Sequence, residues 1–138
     1  MLFYRYSRRG IKVGSNNNKK KILFIDDEVD LCKLVKVNLE SLGEYEVTTV
    51  SSGEEGIKKA KELDFDLVIT DFKMPGMDGE AVLDALKAMK PHLPVVFFSI
   101  YHDDISTIDT SVRNRVNGIV SKPIDHKHLY EVIKDILG

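Results

Sequence analysis

Carboxylate, hydroxyl and ammonium side chains stand where the apolar segments of this chain stop. Asp26 and Asp27 follow KILFI, Asp71 follows DLVIT, Ser99 follows VVFF, and Lys122 lies in GIVSKP. Short apolar, β-branched-rich runs that alternate with helical patterns are typical of strands buried on both faces of a parallel sheet. In such a sheet, ligands bind beyond the carboxyl ends of the strands. The sequence therefore predicts that these five side chains converge on one crevice.

A cluster of carboxylates favours a hard divalent cation, because the cation relieves their mutual repulsion and prefers oxygen ligands. Mg²⁺ fits this site, since it keeps several waters and takes only one or two carboxylates together with phosphate oxygens. We expect Asp27 and Asp71 to be direct ligands and Asp26 to act largely through water.

The order and spacing of these residues resemble the receiver domain of two-component response regulators. The resemblance rests on the Asp26-Asp27 pair, the segment DFKMPGMDG at residues 71–79, Ser99, and Lys122-Pro123. It covers residues 21–138 and implies a flavodoxin-like α/β fold. That fold is a doubly wound, five-stranded parallel sheet of order 2-1-3-4-5 with five helices.

The resemblance also gives the site residues their roles. Asp71 would be the phosphorylated nucleophile, because a carboxylate can attack phosphorus to form an aspartyl phosphate. Lys122 and Ser99 would each contact a phosphoryl oxygen. The backbone carbonyl of Lys73 would be a third protein ligand to Mg²⁺. The family has a cis bond before its proline, whereas the residues alone leave Pro123 cis or trans.

The partners follow from the same resemblance. A sensor histidine kinase or a histidine phosphotransfer protein would donate the phosphoryl group, and a downstream target protein would read the phosphorylated state. The chain would be a phosphoacceptor with self-catalysed phosphorylation and dephosphorylation rather than an enzyme acting on a separate substrate. It would be a monomer or a phosphorylation-dependent homodimer.

The residues that usually relay phosphorylation depart from the family pattern. Many relatives have an aromatic residue three positions before the lysine, where this chain has Ile119, and a small residue after the hydroxyl residue, where it has Ile100. The aromatic switch is therefore not expected here, and Tyr101 or the fourth helix could replace it. That helix, over residues 105–112, is rich in Ser and Thr, which form helices weakly. We expect activation to rearrange it together with the loop after Ser99.

The apolar periodicity predicts strands at residues 21–25, 45–50, 66–70, 95–98 and 118–120. Helical stripes run between them, and Ser52 with Glu55 is typical of a capping box. Asp125 is a candidate N-cap for the last helix, and Cys32 is expected to be a buried core thiol. The stripes comprise Leu31, Val35, Leu39 and Leu42; Ile57, Ala60 and Leu63; Val82, Leu86 and Met89; and Leu129, Val132, Ile133 and Ile136.

Composition bounds the class of protein. The 138 residues leave room for one domain, and no apolar run approaches the roughly 18 residues that span a bilayer. We therefore expect a cytoplasmic protein without membrane association.

The first 21 residues hold seven Lys or Arg and no acid, against 13 basic and 22 acidic residues in the remainder. This acidic body argues against nucleic-acid binding.

The basic segment, residues 1–19, is expected to lie outside the receiver domain at residues 20–138. It has no signal-peptide core, and it is compatible with a disordered leader, an upstream start, an expression remnant, or an arm that contacts a partner. The chain is also compatible with a receiver cut from a longer regulator that carries an output domain.

Two other functions fit this sequence less well. A magnesium-dependent phosphatase with an aspartate nucleophile needs a second aspartate two residues after the first, where this chain has Lys73. A flavodoxin-like cofactor binder needs a phosphate-binding loop after the first strand, where Asp26, Asp27 and Glu28 would repel phosphate.

Overall fold

The computed structural model describes residues 5–7, 11–13, 18–99 and 109–138. Strands β1 (Arg5–Ser7) and β2 (Ile11–Val13) pair antiparallel within the basic segment. The central sheet consists of β3 (Lys20–Ile25), β4 (Tyr45–Val50), β5 (Leu67–Asp71), β6 (Val95–Ser99) and β7 (Gly118–Ser121). Its helices are α1 (Val29–Glu40), α2 (Gly53–Glu62), α3 (Gly79–Met89), α4 (Thr110–Arg113) and α5 (His126–Leu137).

All neighbouring strands of the central sheet are parallel, in the order β4-β3-β5-β6-β7. Counted from the first strand of this sheet, the order is 2-1-3-4-5, as the family resemblance implied. Each predicted strand is present, and its ends differ from the prediction by at most one residue. This agreement arises because the strands are buried on both faces and therefore read as continuous apolar runs.

Two hydrophobic cores lie on opposite faces of the sheet. Phe24 and Phe98 belong to the core that is covered by α1 and α5, and their rings meet edge to face at 5.8 Å. Ile25 and Phe97 belong to the core that is covered by α2 and α3. Neighbouring residues of one strand thus enter different cores, because side chains alternate across a strand. Helices on both faces define a doubly wound α/β fold.

Most predicted helix stripes face these cores, but two of their leucines do not. Leu42 is 46% exposed and Leu63 is 47% exposed. Both residues lie beyond the helices that were expected to hold them, since α1 ends at Glu40 and α2 ends at Glu62. At Leu63 the backbone is already extended, so the side chain leaves the helical face.

The helix caps largely match the prediction. The Ser52 hydroxyl accepts a hydrogen bond from the Glu55 amide at 3.2 Å, and Asp125 accepts from the amides of Lys127 and His128. The Glu55 carboxylate, however, accepts from Ser51 and not from Ser52, so the reciprocal half of the capping box is shifted by one residue. Cys32 is buried in α1, as predicted, and burial raises the pKa of its thiol to about 11.

The first half of the predicted fourth helix, residues 105–108, lies outside the described part of the chain. Its end is present as α4, whose Val112 is buried. Asp109 caps this short helix by accepting a hydrogen bond from the Ser111 amide at 3.0 Å. Within the residues that the structure describes, no helix has the length and apolar character to cross a membrane.

Two side chains from α1 cover part of the free edge of strand β4. Glu40 accepts a hydrogen bond from the Val47 amide at 3.0 Å, and the Lys36 ammonium donates to the Val47 carbonyl. Lys36 and Glu40 also form an ion pair at 3.0 Å. Burial would raise the pKa of Glu40, but the Val47 amide and Lys36 outweigh it and lower this pKa. The pair satisfies backbone groups that an edge strand otherwise exposes.

We predict that Glu40→Ala lowers the free energy of unfolding by about 1–2 kcal/mol at pH 7, because the substitution removes a hydrogen bond and an ion pair. Since the pKa of Glu40 is lowered on folding, its contribution is present above the ordinary value of 4.5 and is lost as pH falls below it. Urea unfolding at pH 7 and pH 3 should therefore show the difference from wild type shrinking at the lower pH. Glu62→Ala, at an exposed acid, is the control.

Candidate functional site

The predicted site residues meet at the carboxyl edge of the central sheet. Asp71 and Ser99 are the last residues of β5 and β6. Asp26 and Asp27 directly follow β3, and Lys122 directly follows β7. The parallel register aligns these ends, since Asp71 pairs with Phe98 and Ser99 pairs with Ser121. The sheet therefore brings together residues that are far apart in sequence, as the strand ends predicted.

The carboxylates of Asp26, Asp27 and Asp71 form one cluster. Each offers an oxygen, and these oxygens all lie within 4.8 Å of one another. Asp26 and Asp71 are buried, whereas Asp27 is exposed at the mouth of the crevice. Such a set of hard oxygen donors, open on one side, suits a cation that keeps several waters.

The ammonium of Lys122 is the positive charge of this site. Its Nζ lies 2.8 Å from Asp26 Oδ2, 2.9 Å from Glu28 Oε1 and 3.4 Å from Asp71 Oδ2. It also lies 5.3 Å from the centre of the Phe98 ring. The side chain is only 8% exposed, so the ammonium exchanges most of its water for carboxylates and an aromatic face.

Burial and crowding shift the acid–base properties of these groups. Burial, together with the negative charge of Asp26, raises the pKa of Asp71 to about 6, although Lys122 and the Lys73 amide oppose the shift. Burial also raises the pKa of Asp26. For Lys122, burial acts against the charged form, but bonds to Asp26 and Glu28 outweigh it and raise the pKa. The lysine is therefore a permanent cation, and a further positive charge would favour ionised aspartates.

Two buried polar atoms lack a hydrogen bond within the described chain. The Ser99 hydroxyl is one of them. Asp26 Oδ2 is the other, although the Lys122 ammonium lies 2.8 Å from it. Buried polar groups are normally paired, because an unpaired one costs about 1–3 kcal/mol. Asp26 Oδ2 keeps its ion pair with Lys122, whereas a phosphoryl oxygen would satisfy the Ser99 hydroxyl. The residues present thus fit Mg²⁺ and a phosphoryl group.

The loop after Asp71 is held close to the site by two glycines. Gly76 has φ of +77°, a conformation that other residues rarely adopt. The Gly79 amide donates to the Phe72 carbonyl at 2.8 Å, and a Cβ at Gly79 would lie 2.8 Å from the Asp71 carbonyl oxygen. Asp78 then caps α3 by accepting from the Ala81 amide. The start of α3 therefore packs directly against the backbone that carries Asp71.

The structure also places most of the other predicted residues. The Lys122-Pro123 peptide bond is cis, as the family resemblance implied. Ile119 is partly buried and packs on the core formed with α2 and α3. Lys73 is exposed, and its amide hydrogen-bonds the Asp71 carboxylate. Ile100 and Tyr101 lie outside the described residues.

Glu28 was missed by the sequence analysis as a member of the site. It contacts Lys122 across a separation of 94 residues, and its own amide donates to Asp26 Oδ1 at 2.9 Å. The signal available in the sequence was a third acid directly after Asp26 and Asp27. That signal indicates negative charge near the metal site, but it does not identify a partner.

The fold and the site define a class of protein in which a carboxylate, a lysine and a hydroxyl share one sheet edge. A family model described as the response regulator receiver domain matches residues 22–134. The chain therefore belongs to the response regulator receiver family.

Among its relatives, the transcriptional regulatory protein GlrR of Escherichia coli K12 is 34% identical over 116 residues, which cover 84% of this chain and 26% of GlrR. A receiver domain protein from Clostridium thermocellum is 32% identical with a TM-score of 0.76, covering 86% of this chain and 94% of that one. TrrA of Thermotoga maritima, solved with Mg²⁺-BeF, is 31% identical with a TM-score of 0.77, covering 86% and 99%. The chain spans about a quarter of the length of GlrR.

We predict that Gly79→Ala destabilises the protein by about 1–3 kcal/mol, because the new methyl group would collide with backbone atoms that cannot move without displacing Asp71. Urea unfolding measures the loss. Glu80→Ala, at the next and exposed position of α3, is the control and should change stability by about 0.5 kcal/mol or less. Equal stability of Gly79→Ala and wild type would contradict the close packing described here.

Proposed function

We infer that this chain is a phosphorylation-dependent signalling module in which Asp71 is the acceptor. The observation that carries this proposal is the meeting of a buried carboxylate, a buried ammonium and an unpaired buried hydroxyl at one sheet edge. A carboxylate needs no base to attack phosphorus, so positioning and charge neutralisation are the main requirements. Lys122 and Ser99 supply both within the crevice.

The transfer step uses a phosphohistidine as donor. An oxygen of the ionised Asp71 carboxylate attacks phosphorus, the new P–O bond forms, and the P–N bond to the histidine breaks. The imidazole nitrogen leaves with the electron pair of that bond. Lys122 donates to one oxygen of the transferred group, and the Ser99 hydroxyl donates to another. Both contacts stabilise the negative charge on the phosphoryl oxygens while the group is transferred.

Asp26, Asp27, Asp71 and the Lys73 carbonyl would hold Mg²⁺, which supplies positive charge to the phosphoryl oxygens when it is bound. The exposed position of Asp27 leaves it accessible to a cation entering from solvent. Asp26 is fully buried and in contact with Lys122, which suits a role that orients ligands through water.

The partners of this module are a sensor histidine kinase or histidine phosphotransfer protein and a downstream target. The related TrrA has been solved in complex with the histidine kinase ThkA, which supports a kinase as donor here.

Residues 20–138 would be the receiver, and residues 1–19 a separate basic arm. Ser99 would move toward the phosphoryl group. Ile119 occupies the position at which many relatives have the aromatic switch residue. The aspartyl phosphatase remains disfavoured, since an exposed lysine occupies the position of its acid.

The experiment is intact-mass analysis after incubation with acetyl phosphate and Mg²⁺. We expect wild type to gain one phosphoryl group, and we expect Asp71→Asn to gain none because its amide cannot form the acyl phosphate. Asp66→Asn, at an exposed aspartate just before β5, is the matched control and should be modified like wild type.

Omission of Mg²⁺ should reduce the adduct strongly, since the acidic cluster then repels the anionic donor. An adduct of equal size in Asp71→Asn would reject Asp71 as the acceptor. Peptide mapping of that adduct would then identify the residue that carries the phosphoryl group.

A further inference from the structure

The three carboxylate neighbours of Lys122 differ in role, because only Glu28 lies outside the proposed phosphorylation machinery. The distances from Nζ are 2.8 Å to Asp26, 2.9 Å to Glu28 and 3.4 Å to Asp71. An ammonium has three N–H donors and no acceptor. Lys122 donates hydrogen bonds to Glu28 and Asp71 and forms an ion pair with Asp26, so a phosphoryl oxygen that binds its Nζ competes with these carboxylates.

Exposure decides which carboxylate can leave. The side chains of Asp26 and Asp71 are 0% and 5% exposed, whereas that of Glu28 is 60% exposed. A buried carboxylate that loses its cation stays unpaired in an apolar environment, which is costly. An exposed carboxylate regains water. Glu28 is therefore the neighbour that a phosphoryl oxygen replaces most easily.

The backbone of Glu28 is fixed by a local hydrogen bond, but its side chain does not cap the helix that begins there. Its amide donates to Asp26 Oδ1 and so fixes the residue beside the site. Glu28 is also the N-cap of α1, yet its side chain makes no capping hydrogen bond. Glutamate is not among the residues preferred at an N-cap. The structure thus assigns the Glu28 carboxylate to Lys122 and not to its helix.

We propose that Glu28 is a positioning residue that holds Lys122 in the phosphate-free protein and gives way to the phosphoryl group, so that it restrains phosphoryl uptake. This inference rests on the proposed function of Asp71. Two effects act in the same direction: Glu28 competes for the lysine, and its charge opposes an anionic donor. Glu28 touches no reacting atom, and its influence passes through the ammonium.

The first test compares rates of adduct formation from acetyl phosphate at subsaturating concentration with Mg²⁺. Glu28→Gln keeps the shape of the side chain and removes its charge, and we expect a rate about two- to fivefold higher than wild type, the range of a partly exposed ion pair. Asp30→Asn removes an equal charge from the exposed first turn of the same helix and should leave the rate unchanged.

The second test needs neither metal nor donor. In protein labelled with ¹³C at lysine Cε, the Lys122 signal is assigned by its absence in Lys122→Met. We expect this signal to move in Glu28→Gln, whose side chain contacts the ammonium, and to stay in place in Asp30→Asn. Unchanged melting temperatures would show that both variants keep the fold.

An unaltered or lower rate in Glu28→Gln would overturn the proposal. So would an equal increase in Asp30→Asn, since net charge rather than the ion pair would then be responsible. If wild type gains no phosphoryl group, the proposed function is what fails. In that case the lysine spectrum still decides whether Glu28 holds Lys122, and an unmoved signal in Glu28→Gln rejects that contact.

Discussion

The Lys122 ammonium is the charge on which the site depends. Asp26 and Asp71 are buried at the end of an apolar sheet, where two adjacent negative charges would be strongly unfavourable without a cation. The lysine reaches them from the far edge of the sheet and lies over the Phe98 ring. Even so, the pKa of Asp71 is raised to about 6. One buried cation thus compensates the acidic site only in part, and that deficit favours further positive charge.

The parallel sheet makes this arrangement possible at little conformational cost. Each site residue lies at or just after a strand end, so its backbone is fixed by interstrand hydrogen bonds such as that from the Lys122 amide to the Ser99 carbonyl at 2.6 Å. Rigid strand ends preorganise the side chains better than flexible loops could. The exception is the loop after Asp71, and there Gly76 and Gly79 restore a defined backbone path.

Sequence patterns predicted the strands and most of the site because both follow from buried strands, whereas the strand order was implied by the family resemblance. A continuous apolar run marks a strand, and the residue that ends it marks the functional edge, as for Asp71 and Ser99. The burial of Leu42 and Leu63 was predicted incorrectly, since periodicity does not show where a helix ends. The role of Glu28 in the site was not predicted, for a different reason. Its partner lies 94 residues away, and a long-range ion pair leaves no local pattern.

The two cores give the strand that ends in Ser99 a particular property. Phe97 packs into the core beneath α2 and α3, and Phe98 packs into the core beneath α1 and α5. Protein interiors are close-packed and transmit small displacements. A movement of Ser99 along the strand axis would therefore displace Phe97 and Phe98 together, and so disturb the packing on both faces of the sheet. The strand that ends in Ser99 is therefore mechanically coupled to the helices on both faces of the sheet.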